Sequence, residues 1–448
     1  MLSKSRYTLK LIAVALAALL ALGPVAAQDG DGRPEQKTKK AQAVSKAVYD
    51  KIQLAQEKVD EKDYGGALKI LNNLYNPDKL TEYEQANVLN YIGFVYYNQD
   101  DIKGALRTYA TMLKIPELEP QLEKQTTYTV AQLYTMEEQY EQALTTLDKW
   151  FQLELNPPPD AYILKAQNLY QVQRYKQMIQ PIETAMQVAE ARGKPAKEDW
   201  YVLLNFAYFQ DENYSKVRDI QKTLLATWPK KRYWMSLAGA FTELGEDKKL
   251  IYAYDVLHLQ GLLDKESELV TMAQLYMQAE APYKAGTLLE KEMETGRVSK
   301  NGKNFRLLSQ AWQLAMEDEK AIPALKEAAR LSDDGELNVR LGNAFLNVGK
   351  YGDCATAVRE GISKGGLKAP DNAQISLGMC LYNLRQYSNA IDAFRDAAKS
   401  PRSKRMADQW IKVINADIQR NEQIRLAEAA ATKKRKEIEA RRAAAGRA

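Results

Sequence analysis

A single pattern of large and small residues recurs along most of this chain, at a mean spacing near 36 residues. In one clear copy, Leu89, Gly93 and Tyr96 are followed by Ala105 and Tyr109. Because residues three and four positions apart share one face of a helix, each copy predicts two amphipathic helices joined by a turn. The small residues that mark the first helix of each copy are Ala55, Gly93, Ala131, Ala166, Asn205, Ala238, Ala273, Ser309, Gly342 and Gly378.

Helix packing explains why a small residue recurs. Gly or Ala at a crossing point lets two helices approach closely, while large residues fill the gaps on either side. One hairpin cannot bury its apolar face alone, so neighbouring hairpins are expected to stack around a continuous core. Turn residues at 63–65 and 349–351, and the prolines at 157–159, separate successive helices as this requires. An irregular helical bundle is the alternative.

The pattern resembles the tetratricopeptide repeat (TPR), a helix–turn–helix unit of about 34 residues. The resemblance covers residues 45–401 and implies an all-α TPR solenoid, a right-handed superhelix of about ten repeats with a C-terminal capping helix. Asn205 departs from the family pattern, which has a small residue at that position. The apolar stripe expected to pack the capping helix on the last repeat consists of Trp410, Val413, Ile414 and Ile418.

The N-terminus predicts export. Lys4, Arg6 and Lys10 precede an apolar run at 11–22, and small residues follow at 25–27. This is the pattern of a cleavable signal peptide spanning residues 1–27. The apolar run is shorter than the about 20 residues that cross a bilayer, although an uncleaved anchor is the alternative. We read the polar stretch at 28–44 as a flexible leader, and we expect the mature protein in the periplasm.

Charge is unevenly distributed. The chain carries a net +5, but the first 27 residues contribute three positive charges and the region from Arg402 onward a net +7, so the body between them is at −5. Since phosphate contacts need clustered cations, this body predicts no nucleic-acid ligand. Residues 402–448 combine the capping helix with a basic Ala/Lys/Arg-rich tail. That tail either meets an anionic membrane surface or an acidic partner, or is simply solvated.

The residue inventory predicts neither catalysis, a metal site nor a cofactor. His258 is the only histidine, which excludes motifs that need a histidine pair, and no nucleophile motif accompanies it. No glycine-rich loop matches a phosphate cradle. Cys354 and Cys380 fall on helices that should touch, so they form either a disulfide or two small buried core residues.

The informative surface is the inner face of the first helices, which we expect to line a concave groove. Aromatic rings supply rigid contact area there, and amides pair with both the N–H and C=O of an extended peptide. A protein or extended peptide is therefore the predicted ligand, and a solvated polar face is the alternative. The predicted groove residues are Asn90, Phe94, Tyr97, Asn98, Tyr128, Gln132, Gln167, Tyr170, Phe206 and Phe209.

In its overall character, the sequence is similar to periplasmic TPR proteins associated with TonB-type energy transduction systems. That resemblance implies a non-enzymatic scaffold with partners among TonB, ExbB and ExbD components, assisting uptake through the outer membrane. The alternative is an envelope-assembly scaffold that serves outer-membrane proteins or peptidoglycan enzymes. A hydrolase within the array is disfavoured, because the sequence offers no nucleophile with its base.

Overall fold

The computed structural model describes residues 43–445, with side chains to residue 440. The predicted signal peptide at 1–27 and almost all of the predicted leader at 28–44 lie outside the described residues. Within them, the regular elements are helices and no strand is present. The chain divides after Lys230 into two compact units, between the fifth and sixth repeats of the sequence pattern.

The N-terminal unit is a series of five helical hairpins, repeats 1 to 5. The two helices of each repeat pack together, and each second helix packs on the first helix of the next repeat. A 3-10 turn at Tyr175–Met178 precedes the second helix of repeat 4. The hairpins are α1 (Lys46–Asp60) with α2 (Tyr64–Leu74), α3 (Glu82–Asn98) with α4 (Ile102–Met112), α5 (Pro120–Met136) with α6 (Tyr140–Leu153), α7 (Pro159–Gln171) with α8 (Ile179–Ala191), and α9 (Glu198–Gln210) with α10 (Tyr214–Thr227).

The C-terminal unit contains five further hairpins, repeats 6 to 10, and ends in a single long helix. These hairpins pack in the same order as those of the other unit. They are α11 (Lys231–Glu243) with α12 (Asp247–Leu259), α13 (Glu266–Gln278) with α14 (Pro282–Glu294), α15 (Gly302–Leu314) with α16 (Asp318–Arg330), α17 (Gly335–Asn347) with α18 (Tyr351–Lys364), and α19 (Pro370–Asn383) with α20 (Tyr387–Ala398); the final helix is α21 (Pro401–Ala445).

The recurring small residues lie where the two helices of a hairpin cross. Nine of the ten are buried, and only Asn205 is half-buried. A Cβ atom added to Gly93 would lie 2.6 Å from the ring of Tyr109, and one added to Gly378 would lie 2.7 Å from the ring of Phe394. A large ring on the second helix therefore uses the space that the absent side chain leaves. The all-α TPR repeat architecture predicted from the sequence is confirmed.

The turn inside each hairpin has a common backbone geometry. One residue per turn adopts a positive φ, the left-handed conformation that ends a helix. In three of these turns the side chain of the next residue caps the second helix. The side chain of Asp101, for example, accepts a hydrogen bond from the N–H of Gly104 at 2.8 Å. The ten positive-φ residues are Lys62, Asp100, Glu138, Gln173, Glu212, Gly245, Glu280, Met316, Gly349 and Arg385.

The capping helix α21 packs on repeat 10, as predicted, but only two of the four predicted stripe residues take part in the contact. Ile414 is fully buried and Trp410 contacts the ring of Phe394. Val413 and Ile418, which the sequence placed in this contact, are 46% and 38% exposed. That part of the prediction is wrong, because the packed face also uses small residues nearer the start of the helix. Ser403 and Ala407 are buried on it.

Two links tie repeats 9 and 10 and the cap together. Cys354 on α18 and Cys380 on α19 form a disulfide, with Cα atoms 5.9 Å apart and both side chains buried. At the start of α21, Ser403 Oγ donates a hydrogen bond of 2.7 Å to the carboxylate of Asp371, which also pairs with Arg402. These bonds fix where α21 begins on the repeat beneath it.

Candidate peptide-binding face of the N-terminal unit

All ten predicted groove residues lie on the first helices of repeats 2 to 5, within the N-terminal unit. Helices α3, α5, α7 and α9 carry them at equivalent positions around the recurring small residue. Equivalent positions on stacked hairpins share one side of the stack. These residues differ in how much of each side chain is already packed against the rest of the protein.

Tyr128 and Gln132, both on α5, are used by the fold rather than left open. The ring of Tyr128 lies 4.5 Å from that of Trp150 on α6, and its burial raises the pKa of its hydroxyl to about 12. Gln132 is only 5% exposed. The prediction that Gln132 is an exposed groove residue is therefore wrong, and Tyr128 is largely covered by its own repeat.

Repeats 4 and 5 bring three aromatic rings together. Tyr170 on α7 lies 5.1 Å from Phe206 on α9, and both approach Tyr175 in the turn after α7, at 5.9 and 5.1 Å between ring centroids. All three side chains are half-buried. Edge-to-face geometry of this kind is favourable for aromatic pairs. We call Tyr170, Tyr175 and Phe206 the aromatic cluster.

Phe209 extends this surface by one helical turn of α9. Its ring is 49% exposed and lies 5.8 Å from that of Tyr214 at the start of α10. Phe209 and Tyr214 hold the same two repeat positions as Tyr170 and Tyr175, five residues apart across the turn. Exposing a large ring to water is unfavourable, and Phe209 is the one aromatic residue of the predicted set that is classed as exposed.

Repeat 2 offers a mixed surface. Tyr97 packs against the core of the N-terminal unit, and burial raises its pKa. Phe94 and Asn90 are half-buried, and the Asn90 carbonyl accepts a hydrogen bond from Tyr109. The side-chain amide of Asn98, an exposed residue, donates a hydrogen bond of 2.8 Å to the Phe94 carbonyl, and its oxygen is an acceptor.

The ten predicted residues carry no charge. Gln167, next to the aromatic cluster on α7, adds a half-buried amide. An ion pair of 2.8 Å between Lys176 and Asp211 joins the turns of repeats 4 and 5. Such a surface can make apolar and neutral hydrogen-bonding contacts, but it provides no charged clamp for a terminal carboxylate.

Residues 43–445 contain no group of three or more His, Cys, Asp or Glu side chains placed to hold a metal ion. The single histidine, His258, lies half-buried on α12. None of the helices described is both long and apolar enough to cross a bilayer.

Sequence reasoning missed Tyr175 and Tyr214. Both follow the first helix of their repeat, in the turn, and the groove was predicted from first-helix positions alone. The signal was present, because a tyrosine recurs at that position, also as Tyr140, Tyr351 and Tyr387. Tyr387 likewise contacts Tyr382, five residues earlier, at 6.0 Å.

Comparisons with known proteins return partial matches to solved structures. No protein-family model and no curated protein sequence matches the chain. Among solved structures, MamA from Desulfovibrio magneticus RS-1 is 21% identical, covers 41% of this chain and 100% of its own, and has a TM-score of 0.32. YrrB, a TPR protein with an unusual peptide-binding site, is 17% identical. The match covers 43% of this chain and 96% of YrrB, with a TM-score of 0.35. The TPR2AB domain of yeast Sti1, solved with pHSP90, is 14% identical to this chain. The match covers 60% of this chain and 98% of the Sti1 chain, with a TM-score of 0.33.

Proposed function

We propose that this protein is a non-enzymatic scaffold that binds an extended segment of another protein along the first helices of repeats 2 to 5. The aromatic cluster with the half-exposed ring of Phe209 is the observation that carries this proposal. Rigid aromatic side chains contribute disproportionately to protein interfaces, because little conformational entropy is lost when they bind. Neighbouring amides can pair with the main chain of such a segment.

The absence of charge on this surface limits the class of peptide that it is expected to bind. A peptide held mainly by charge would require cations or anions at these positions, and the ten predicted residues have none. We therefore expect binding that depends weakly on salt, because only interactions between charges are screened. This separates the proposed mode from capture of a peptide carboxylate.

Substitution of the exposed rings tests the binding face. We expect Tyr170→Ala with Phe209→Ala to lose partners that cross-link to the wild-type protein in envelope extracts, as identified by mass spectrometry. The matched control is Tyr252→Ala on α12, whose ring is 63% exposed and lies outside the predicted face. If the double variant keeps its fold by circular dichroism and cross-links to the same partners, this face is not the binding surface.

We further propose that the protein works in the periplasm, as an accessory component of a TonB–ExbB–ExbD energy transduction system for uptake through the outer membrane. The predicted signal peptide at 1–27 and the resemblance in repeat number and basic tail support this assignment. Cell fractionation with N-terminal sequencing tests export, and affinity purification of the tagged full chain tests for TonB, ExbB and ExbD. Recovery of peptidoglycan enzymes or outer-membrane assembly factors instead would favour the envelope-assembly alternative.

A further inference from the structure

The aromatic residues of repeats 4 and 5 form two equivalent pairs. Tyr170 and Tyr175 form the pair of repeat 4, with ring centroids 5.9 Å apart, and Phe209 forms that of repeat 5 with Tyr214, at 5.8 Å. Phe206 lies 5.1 Å from both rings of the first pair. Because Phe206 and Phe209 are three residues apart, they share one face of α9 and join the two pairs into one aromatic surface.

This surface offers hydrogen-bond donors that the fold does not use. The hydroxyls of Tyr170 and Tyr175 have no hydrogen-bond partner among the described residues. Neither hydroxyl oxygen belongs to the side-chain atoms that are buried without a partner, so both are accessible from outside. Gln171 and Gln210, the last residues of α7 and α9, are exposed and add amide N–H groups. A ligand rich in acceptors is therefore the complement of this surface.

The cations beside the aromatic cluster are already paired. Lys176, which follows Tyr175 in the chain, lies 2.8 Å from Asp211, and Arg174, which precedes it, lies 2.9 Å from Glu141. A carboxylate of the ligand would have to displace one of these pairs, and a charge buried against the rings without a partner would be costly. The charge state of the surface thus matches an uncharged segment.

Given that this face binds an extended segment, as proposed above, we propose that the segment is rich in proline and binds as a polyproline II helix. That helix has no internal hydrogen bonds, so its carbonyl groups are free to accept from the tyrosine hydroxyls and the glutamine amides. Each proline also lacks an N–H group, which leaves fewer donors of the segment to satisfy. The proline rings supply uncharged apolar contact for aromatic side chains, and the stiff helix loses little entropy on binding.

The repeat spacing fits the period of such a helix. The contact between Tyr170 and Phe206 joins α7 to α9, and helices in side-chain contact lie about 8–10 Å apart. Equivalent positions such as Tyr170 and Phe209 are separated by one such step. Residues three apart in a polyproline II helix face the same side at a distance of about 9 Å. One proline of every three can therefore meet one repeat, whereas alternate residues of a β-strand are only about 7 Å apart.

Two uncharged peptides of equal length test the ligand on the full-length protein. We expect acetyl-(Pro-Pro-Ala)3-amide to bind in calorimetric titration, and acetyl-(Ala-Gln-Ala)3-amide, which has no proline, to bind at least about tenfold more weakly. Affinity for the proline peptide should be the same at low and at high salt, because no charge is involved. Equal affinity for the two peptides, or no measurable binding of the proline peptide, would overturn the proposal.

Substitutions locate the bound peptide. We expect Phe209→Ala, which removes an exposed ring, to weaken the proline peptide about tenfold, and Tyr170→Phe, which removes only a hydroxyl, to weaken it about threefold. Tyr252→Ala on α12 is the matched control and should leave the affinity unchanged. Circular dichroism establishes that each variant is folded. Binding that is insensitive to Phe209→Ala and Tyr170→Phe would place the peptide elsewhere and contradict the assignment.

Failure of this assignment can be told apart from failure of the proposed function. If Tyr170→Ala with Phe209→Ala loses its cross-linked partners while the wild type shows no preference for the proline peptide, the face binds a segment of another composition. Only the proline assignment is then wrong. If the double variant keeps all of its partners, the face is not the binding surface and both proposals are wrong.

Discussion

The ring of Trp410 stacks on the ring of Phe394, with centroids 5.7 Å apart and planes inclined by only 2°. Phe394 is fully buried and fills the space beside Gly378, so this pair continues the hairpin core of repeat 10 into α21. Trp410 also lies 5.4 Å from Tyr382, whose hydroxyl donates to Asp417 at 2.7 Å. The last repeat is thus covered by α21, as an inner repeat is covered by its neighbour.

Removing this ring should destabilise the C-terminal unit. We expect Trp410→Ala to lower the free energy of unfolding by about 2 kcal/mol, less than for a fully buried ring because Trp410 is half-buried. Val413→Ala, one turn away and 46% exposed, is the control and should change it by less than about 0.5 kcal/mol. Urea unfolding measures both changes when it is followed by far-UV circular dichroism, a backbone signal that does not rely on tryptophan fluorescence. Similar effects in the two variants would contradict the packing described.

Glu84 should make the first two repeats sensitive to acid. Hydrogen bonds to its carboxylate, first from Ser45 and then from Thr81, hold its pKa at about 2, against an ordinary value of 4.5. A carboxyl whose pKa is lowered by folding stabilises the fold above its unfolded pKa, and the effect is lost as pH falls towards the folded value. Stability should therefore decline between pH 4.5 and 2.

The matching substitution is Glu84→Gln. It should cost about 1–2 kcal/mol at pH 7, since the hydrogen bonds lose their ionic partner, and the difference from wild type should shrink towards pH 2. Glu57→Gln, at an exposed position on α1, serves as the control. Hydrogen exchange of α1 and α3 against pH reports the effect locally. A constant difference across the acid range would argue against this role.

The disulfide should contribute measurably to the stability of the C-terminal unit. Cys354 and Cys380 are 26 residues apart in the chain, and a closed loop of this size predicts a loss of about 3 kcal/mol when the bond is removed. We expect a reductant to lower the melting temperature of the wild type, and the double variant Cys354→Ala/Cys380→Ala to melt lower without responding to reductant. A wild type that is indifferent to reductant would be inconsistent with the bond.

Two glycines three residues apart should respond oppositely to the same change. Gly349 has a φ of +75°, so Gly349→Ala should destabilise the protein by about 1 kcal/mol through left-handed strain. Gly352 lies inside α18 with open space around it, so Gly352→Ala should stabilise it by up to about 1 kcal/mol. Chemical denaturation of the pair measures both signs. A loss of stability in both variants would mean that side-chain bulk, not backbone conformation, decides the outcome.

The hairpins could be predicted from the sequence because a small residue recurs at the helix crossing in nine of the ten copies. The turns could not, because eight of the ten left-handed residues are not glycine; Met316 and Arg385 carry no recognisable signal for that conformation. The backbone is set there by packing of the two helices rather than by local preference. The disulfide was left open by the sequence, since both outcomes place the two cysteines on adjoining helices.

The placement of the predicted groove residues on first helices could be read from the sequence, but the exposure of each side chain could not. Tyr128 occupies a predicted groove position, yet the indole of Trp150 covers it, and that contact depends on which side chain the second helix happens to present. Conversely, Tyr175 joins the aromatic cluster from a turn, where the helical periodicity used for the prediction does not apply. The contact stripe of α21 was misjudged for a similar reason, because Ser403 and Ala407 are too small to register as apolar anchors.

The 45 residues of α21 correspond to about 68 Å of helix, and its last described contacts with the repeats, at Asp417 and Asn421, fall well before its end. From there to residue 440 every side chain is exposed, with ion pairs such as Arg435 to Glu439 along the helix itself. The helix therefore behaves as a strut. It keeps the cations at 433–436 at a defined distance from repeat 10. A flexible coil of equal length would let that distance vary.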